Sequence, residues 1–130
     1  MIQGTPNGGL DEIAARTYVN GTDFTLIAYT NAADSLGPLT ILADLAQPAV
    51  ANGYAPIVLD GAWTTLNGIV TYVHSGGGNP TWSASGAWSA TVTGVAIIFG
   101  TSVVHFKDNA VPFVAAAGKK LAIDMATVVS

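Results

Sequence analysis

The sequence contains very little charge, since only 9% of its 130 residues are Asp, Glu, Lys or Arg. Ordinary soluble domains have roughly 25%. The chain has four basic residues against eight acidic ones, which gives a formal net charge of −4. Nucleic acids and anionic lipid surfaces are bound by clusters of Lys and Arg. We therefore expect neither nucleic acid nor membrane among the partners of this protein.

Cysteine is absent as well. Its absence excludes disulfides, thiolate catalysis and zinc sites with cysteine ligands. No apolar run approaches the ~18 residues that indicate a membrane-spanning helix. The first residues carry neither the basic region nor the apolar stretch of a signal peptide, so we expect synthesis in a cytoplasm.

Apolar residues dominate what remains, because 50% of the chain is hydrophobic. A chain so poor in charge must cover its surface with small polar residues or with copies of other proteins. Residues 1–9 are rich in Gly, Pro and Asn, which is typical of an extended arm. Residues 10–130 form a single β-rich domain in our interpretation, near the most common domain size.

Short apolar runs separated by turn residues follow one another from residue 24 onward. The predicted strands are 24–30, 55–59, 63–74 with a bulge or bend at Gly68, 81–90, 91–99, 103–107 and 120–129. Helical spacing predicts a short helix over 10–19 and one or two helical turns within 39–50. This pattern is typical of a mainly β fold. We expect an antiparallel β-sandwich or barrel, jelly-roll-like, with one or two short helices near the N-terminus.

Several predicted strands are apolar on both faces, and 24–30 and 95–99 are the clearest cases. Unburied, such faces would form a patch larger than monomers normally tolerate. The edge strands also lack the charges that protect against pairing with other chains. A closed homo-oligomer would answer both problems, so we expect sister copies as partners.

Residues capable of catalysis are few and isolated. His74 and His105 lie on or beside predicted strands, and a zinc site usually needs three or four ligands. The glycines at 76–78 lack the Lys and the Ser or Thr that follow them in a phosphate-binding loop, which favours a flexible hairpin loop. We therefore expect no enzymatic activity, no catalytic residue, no metal and no cofactor.

The candidate binding or interface residues are Trp63, Trp82, Trp88, Tyr54 and Tyr72. Aromatic rings on an exposed sheet face can stack on sugar rings, which would make the chain a carbohydrate-binding module. The favoured interpretation is that they fill the core or a subunit interface, where aromatic rings bury a large area. The carbohydrate hypothesis requires at least one exposed tryptophan.

Taken in order, several short segments are similar to a family of small virion proteins of tailed bacteriophages. The matching segments are FTLIAYTN at 24–31, LADL at 42–45, NGYA at 52–55, GVAIIFG at 94–100 and AGKKLAI at 117–123. They extend over most of the chain beyond residue 20. The resemblance implies a β-rich structural subunit of a virion, often trimeric, with no enzymatic residues.

A head decoration or cement protein is the hypothesis that the resemblance favours most. Such a protein would bind the major capsid protein as a homotrimer and clamp neighbouring capsid subunits, with residues 1–9 reaching a neighbour. It would be made in the host bacterial cytoplasm and end in the virion. A tail or fibre component fits nearly as well, and a carbohydrate-binding β-sandwich remains the alternative outside this family.

Overall fold

The structure, a computed structural model, describes residues 24–67 and 69–125 of the chain. The strands in this part are β1 (Phe24–Tyr29), β2 (Ile57–Leu59), β3 (Ala62–Leu66), β4 (Ile69–Val73), β5 (Thr81–Ser83), β6 (Val92–Phe99), β7 (Ser102–Phe113) and β8 (Lys120–Ala122). The pairs that they form are antiparallel. The prediction of a mainly β fold is therefore confirmed.

The central layer is a four-stranded sheet with the strand order β2-β1-β6-β7. β1 and β6 form its middle and pair from Phe24 opposite Phe99 to Tyr29 opposite Gly94. β2 and β7 are its edges, so the sheet is open and the barrel alternative is wrong. Pro56 directly precedes β2, which agrees with the confinement of proline to edge strands.

A second layer packs against one face of this central sheet. It consists of the β3–β4 hairpin and the two-stranded β5–β8 ladder. Alternate side chains of β1 and β6, such as Leu26 and Ile97, point toward this layer and form one core with Trp63 and Trp82. Two β layers packed over a shared core are the arrangement of a β-sandwich, as predicted.

The opposite face of the central sheet is covered by the chain itself. Residues 32–46, here called the covering loop, contribute Leu36, Leu42 and Leu45 to a second core with Ile27 and Ile98. We expected sister copies to cover the second face of the strands that are apolar on both faces. For β1 and β6, the covering loop covers that face instead. The helical structure expected within 39–50 is one 3₁₀ turn, Leu42–Asp44.

The stretch predicted as one strand over 63–74, with a bulge or bend at Gly68, is two strands, β3 and β4. β3 and β4 pair along their length, and Leu66 lies opposite Ile69. Asn67 has a φ of 53°. An Asn-Gly pair between alternating apolar residues is the strongest short hairpin signal, because both turn positions need positive φ. The prediction of a single strand with a bulge or bend missed that signal.

Three further expectations change in detail. Within the stretch 81–90, only the residues of β5 form a strand. The predicted alternation of buried and exposed side chains is nevertheless correct, since Trp82 and Trp88 are buried and the serines between them are exposed. β7 is longer than 103–107 and follows β6 through two register shifts. The loop with the glycines at 76–78 joins β4 to β5, which belong to different ladders, so it closes no hairpin.

Several predictions fall on residues outside the described part of the chain. They are the arm 1–9, the helix over 10–19 and the end of the last strand beyond 125. The start of that last strand is confirmed, because β8 begins at Lys120, but β8 ends at Ala122 and residues 123–125 are not strand. Within residues 24–67 and 69–125, no helix has the length and apolar character needed to cross a membrane.

Candidate functional site

The aromatic residues selected from the sequence all lie in the core. None of the five is more than 9% exposed. The Tyr54 ring contacts those of Trp82 and Trp88, with centroids 5.6 and 5.2 Å away, and the Trp63 and Tyr72 centroids are 4.6 Å apart. All three tryptophans of the chain are among them. The carbohydrate hypothesis required an exposed tryptophan, and the structure offers none.

The polar atoms of Trp82, Trp88 and Tyr54 form hydrogen bonds with backbone groups. Trp82 Nε1 donates a hydrogen bond to the Ala55 carbonyl at 2.7 Å. The Tyr54 hydroxyl accepts one from the Ala28 N–H at 3.1 Å and donates one to Gln47 Oε1 at 2.7 Å. Ala28 lies beyond the stretch of β1 that pairs with β2. Tyr54 therefore satisfies a buried backbone group that the short edge strand leaves unpaired.

Burial raises the pKa of three tyrosine hydroxyls. Desolvation raises the pKa of Tyr54 to about 12. The pKa of Tyr72 is raised by the same cause. The pKa of Tyr29 is raised most, first by desolvation and then by the carboxylate of Asp108, to which its hydroxyl is hydrogen-bonded. These hydroxyls keep their protons far into the alkaline range, so they serve as structural donors.

Within the described part of the chain, neither histidine belongs to a group of three possible metal ligands. His74 Nδ1 lies 2.8 Å from the Tyr72 hydroxyl, which also accepts a hydrogen bond from the Gly61 N–H at 2.9 Å. His105 is half-buried in β7. Among the described residues, no three His, Asp or Glu side chains come close enough together to hold a metal ion.

Asn31 fixes the base of the covering loop. Its amide nitrogen donates to the Asp44 carbonyl at 2.8 Å, and its amide oxygen accepts from the Ala46 N–H at 2.9 Å. The Thr30 N–H donates to the Ala46 carbonyl at 2.7 Å. The Asn31 side chain thus forms hydrogen bonds with the backbone of Asp44 and Ala46 at the far end of the covering loop, and these bonds hold the two ends of the loop together.

Asp108 anchors the covering loop at a second point. Its carboxylate accepts hydrogen bonds from the Tyr29 hydroxyl at 2.6 Å and from the Asp34 N–H at 2.8 Å. Gly94 lies between Tyr29 and Asp108 in the register of the sheet. A Cβ on Gly94 would overlap the end of the Tyr29 ring. The glycine therefore lets the ring cross β6 and reach the carboxylate on β7.

The tip of the covering loop, residues 37–40, is a tight turn. The Thr40 N–H donates to the Gly37 carbonyl at 3.1 Å, and the Gly37 N–H donates to the Thr40 hydroxyl at 2.9 Å. Pro38 occupies the second position of the turn, where its fixed φ is favourable. Leu39 follows and is 92% exposed. The loop therefore presents a leucine to solvent on a hydrogen-bonded turn.

An open groove of about 570 Å³ lies beside the tip, between the covering loop and the turn that joins β6 to β7. It is lined by Thr40, Ile41, Leu42, Ala43, Thr101, Ser102 and Val103. None of these side chains is charged, and Ile41 is more than half exposed. The groove and the tip form an uncharged apolar surface, here called the loop surface.

The outer side of the β3–β4 hairpin is a second such surface, here called the hairpin face. Its side chains are exposed and uncharged: Ala62, Thr64, Leu66, Ile69, Thr71 and Val73. Leu66 and Ile69, opposite each other, are 70% and 55% exposed. The hairpin pairs with no third strand in the described part of the chain, so both of its edges are open there.

The loop surface and the hairpin face lie on opposite sides of the central sheet. Leu26 and Ile97 pack on the hairpin side, whereas their neighbours Ile27 and Ile98 pack on the side of the covering loop. Successive side chains of a strand point to opposite faces, so the two outer layers are separated by the sheet. In the described part of the chain, an uncharged apolar surface therefore lies on each side of the central sheet.

Neither surface was identified from the sequence. The Gly-Pro pair before Leu39 signals a turn, and the Asn-Gly pair after Leu66 would have placed that leucine on the outer side of a hairpin. The chain matches no family profile, no curated protein and no solved structure.

Proposed function

We propose that this chain is a structural protein of a tailed-bacteriophage virion, a head decoration or cement protein that binds between major capsid subunits. The observation that carries the proposal is the pair of apolar surfaces on opposite sides of the molecule. A protein that clamps an assembly must contact at least two neighbours at once. Two surfaces separated by a sheet that is buried on both faces meet that requirement.

The chemistry of both surfaces favours binding to protein. Neither surface contains a charged side chain. Apolar surface of this kind is stabilised by burial, at about 25 cal/mol for each Å² removed from water. Exposed apolar residues on both sides, such as Leu39 and Leu66, therefore favour protein partners over nucleic acid or anionic lipid.

We assign the hairpin face to the capsid shell. It is a two-stranded ladder whose outward side chains form a continuous uncharged row. Such a surface suits a broad protein partner. Its open edges also allow a strand of the shell to pair with it by β-augmentation.

The test is co-sedimentation of the purified chain with heads assembled from the major capsid protein of the same genome. We expect the wild-type chain to bind and Leu66→Asp to bind at least tenfold more weakly, because a carboxylate would be buried without a partner. Val111→Asp is the matched control, since Val111 is 77% exposed on β7, and it should bind like the wild type.

Failure of the wild-type chain to bind heads would contradict the proposal. Binding to purified tails alone would show that the chain is a tail or fibre component instead. Equal loss of binding in Leu66→Asp and Val111→Asp would refute the assignment of the hairpin face to the shell.

A further inference from the structure

We infer that residues 10–19 bind in the groove of the loop surface of their own chain, with an apolar helix face against its lining. These residues lie outside the described part of the chain. The inference goes beyond the proposed function, because it concerns how the protein covers its own surface and from which side the arm 1–9 leaves the molecule.

The described chain begins beside this groove. Phe24, the first described residue, lies opposite Phe99 in the central sheet. Phe99 in turn lies opposite Ser102, which lines the groove. Neighbouring strands are about 4.8 Å apart, so two such spacings, about 10 Å, separate Phe24 from Ser102. The chain that precedes Phe24 therefore starts at the end of the sheet that carries the groove.

A short connection joins this point to residues 10–19. It consists of the four residues 20–23, which span at most about 14 Å when fully extended. The Asn-Gly pair at 20–21 favours a turn, which lets the chain reverse toward the sheet. The hairpin face is farther from Phe24, because it is the outer side of a layer packed about 10 Å from the central sheet. The reach of the connection therefore favours the groove of the same copy.

The sequence of residues 10–19 predicts a helix that needs a surface to pack on. Its apolar face has five residues at helical spacing: Leu10, Ile13, Ala14, Thr17 and Tyr18. Glu12 and Arg16 are four residues apart on the other side of this helix, where they can form an ion pair. An isolated helix shorter than about 12 residues is marginal in water. The predicted helix is therefore stable only where its apolar face is covered.

The groove has the size and chemistry for such a face. Its volume of about 570 Å³ is within the range of roughly 300 to 1,000 Å³ of pockets that enclose small ligands. Its lining is uncharged, and Ile41 and Val103 contribute aliphatic groups to it. Binding there would leave Glu12 and Arg16 in water. It would also start the arm 1–9 on the side of the central sheet opposite the hairpin face.

Introduced cysteine pairs test this position, because the chain has no cysteine of its own. Ala14→Cys lies on the apolar face of the predicted helix, and Ala43→Cys lies in the groove. A short bis-maleimide reagent should link this pair within one chain, with a yield independent of protein concentration, as seen by mass spectrometry of the linked peptides. The matched control combines Ala14→Cys with Ala62→Cys on the hairpin face, an exposed alanine that should give no link.

A second measurement tests the apolar face in the full chain. Maleimide labelling of the single variant Ala43→Cys should become at least tenfold faster when Ile13→Asp is added, because a carboxylate on that face would be buried without a partner. Val19→Asp is the matched control, since Val19 lies on the other side of the predicted helix. It should leave the labelling rate unchanged, and circular dichroism checks that each variant keeps its β fold.

Several outcomes overturn the inference. Absence of the 14–43 link does so, and a 14–62 link in its place would show that residues 10–19 cover the hairpin face. A link that forms only between chains, in a mixture of the two single-cysteine variants, would place these residues in the groove of a neighbour. An unchanged labelling rate with Ile13→Asp would also refute it.

The proposed function is tested separately, by binding of the wild-type chain to heads. A chain that binds heads and gives no 14–43 link would refute this inference alone. A chain that gives the link and does not bind heads would refute the proposed function alone.

Discussion

Replacing Gly94 by alanine tests how the covering loop is held on the sheet. Gly94 lies under the Tyr29 ring, and a Cβ there would be closer to the end of that ring than real Cβ contacts allow. It would also lie 2.6 Å from the backbone carbonyl oxygen of Lys107 on the neighbouring strand. Tyr29 is fully buried, so its ring has no free space in which to move. Either the ring or the β6–β7 ladder must therefore shift.

The expected cost follows from the two interactions that are disturbed. Overpacking in a well-packed core costs about 1 to 3 kcal/mol. Loss of the hydrogen bond from Tyr29 to the Asp108 carboxylate costs about 1.5 to 3 kcal/mol, because the acceptor is charged. We expect Gly94→Ala to lower the free energy of unfolding by about 3 kcal/mol or more. That is a large part of the 5–15 kcal/mol typical of a whole domain.

Urea unfolding, followed by the fluorescence of the three buried tryptophans, measures this cost. With a slope of about 2 kcal/mol per molar urea, a loss of 3 kcal/mol lowers the midpoint by about 1.5 M. Gly37→Ala is the matched control, because a Cβ at Gly37 has no neighbour within 4 Å. It should leave the midpoint unchanged or raise it slightly, since alanine restricts the unfolded chain.

A double variant separates the mechanism from a general loss of stability. If the new methyl group acts by displacing the Tyr29 hydroxyl, Tyr29→Phe should cost less in the Gly94→Ala background than in the wild type. A midpoint for Gly94→Ala equal to that of Gly37→Ala would refute the reasoning. Additive costs of Tyr29→Phe and Gly94→Ala would refute the role assigned to the hydroxyl.

Two further predictions concern the buried tyrosines and the base of the covering loop. The contribution of the buried Tyr54 hydroxyl to the free energy of unfolding should be fully present below pH 10 and should be lost as the pH rises toward 12. The reason is that the unfolded chain releases tyrosine protons near a pKa of ~10, whereas burial raises the pKa of folded Tyr54 to about 12. Urea midpoints at pH 8 and pH 11 measure the fall, which Tyr54→Phe should reduce, and equal midpoints would contradict the prediction. Asn31→Ala should cost about 1 to 2 kcal/mol and accelerate hydrogen exchange at the Ala46 N–H, since that group loses its acceptor. The exposed Asn79→Ala serves as its control, and unchanged exchange at Ala46 would contradict the role given to Asn31.

The sequence predicted the central strands well because their pattern is local. β1 and β6 are continuous apolar runs, and such runs are typical of strands covered on both faces. The sequence could not tell what covers them. The covering loop is mostly polar or small in sequence, and only three of its four leucines, at positions 36, 42 and 45, reach the sheet. We therefore assigned to sister copies a face that the chain covers itself.

The candidate site was harder to predict, since exposure depends on contacts between distant parts of the chain. The aromatic residues were selected as core, interface or binding residues, and the sequence alone could not separate these roles. Trp82 and Trp88 are buried because Tyr54, far away in sequence, packs against both. Leu39 and Leu66 look like ordinary core leucines in the sequence, and only turn geometry places them outside.

The pairing of β1 with β6 also determines when this protein can fold. The ladder joins Phe24 to Phe99, so most of the chain must be synthesised before the first strand gains its main partner. Until then β2 is the only partner strand of β1 present among the described strands, and β1 lacks the apolar residues of β6 that share both of its cores. Contacts between residues so distant in sequence are slow to form, because the chain must close a long loop first. We expect ribosome-bound chains that end before Val92 to depend on chaperones, and release of β6 to be the step that commits the chain to its native state.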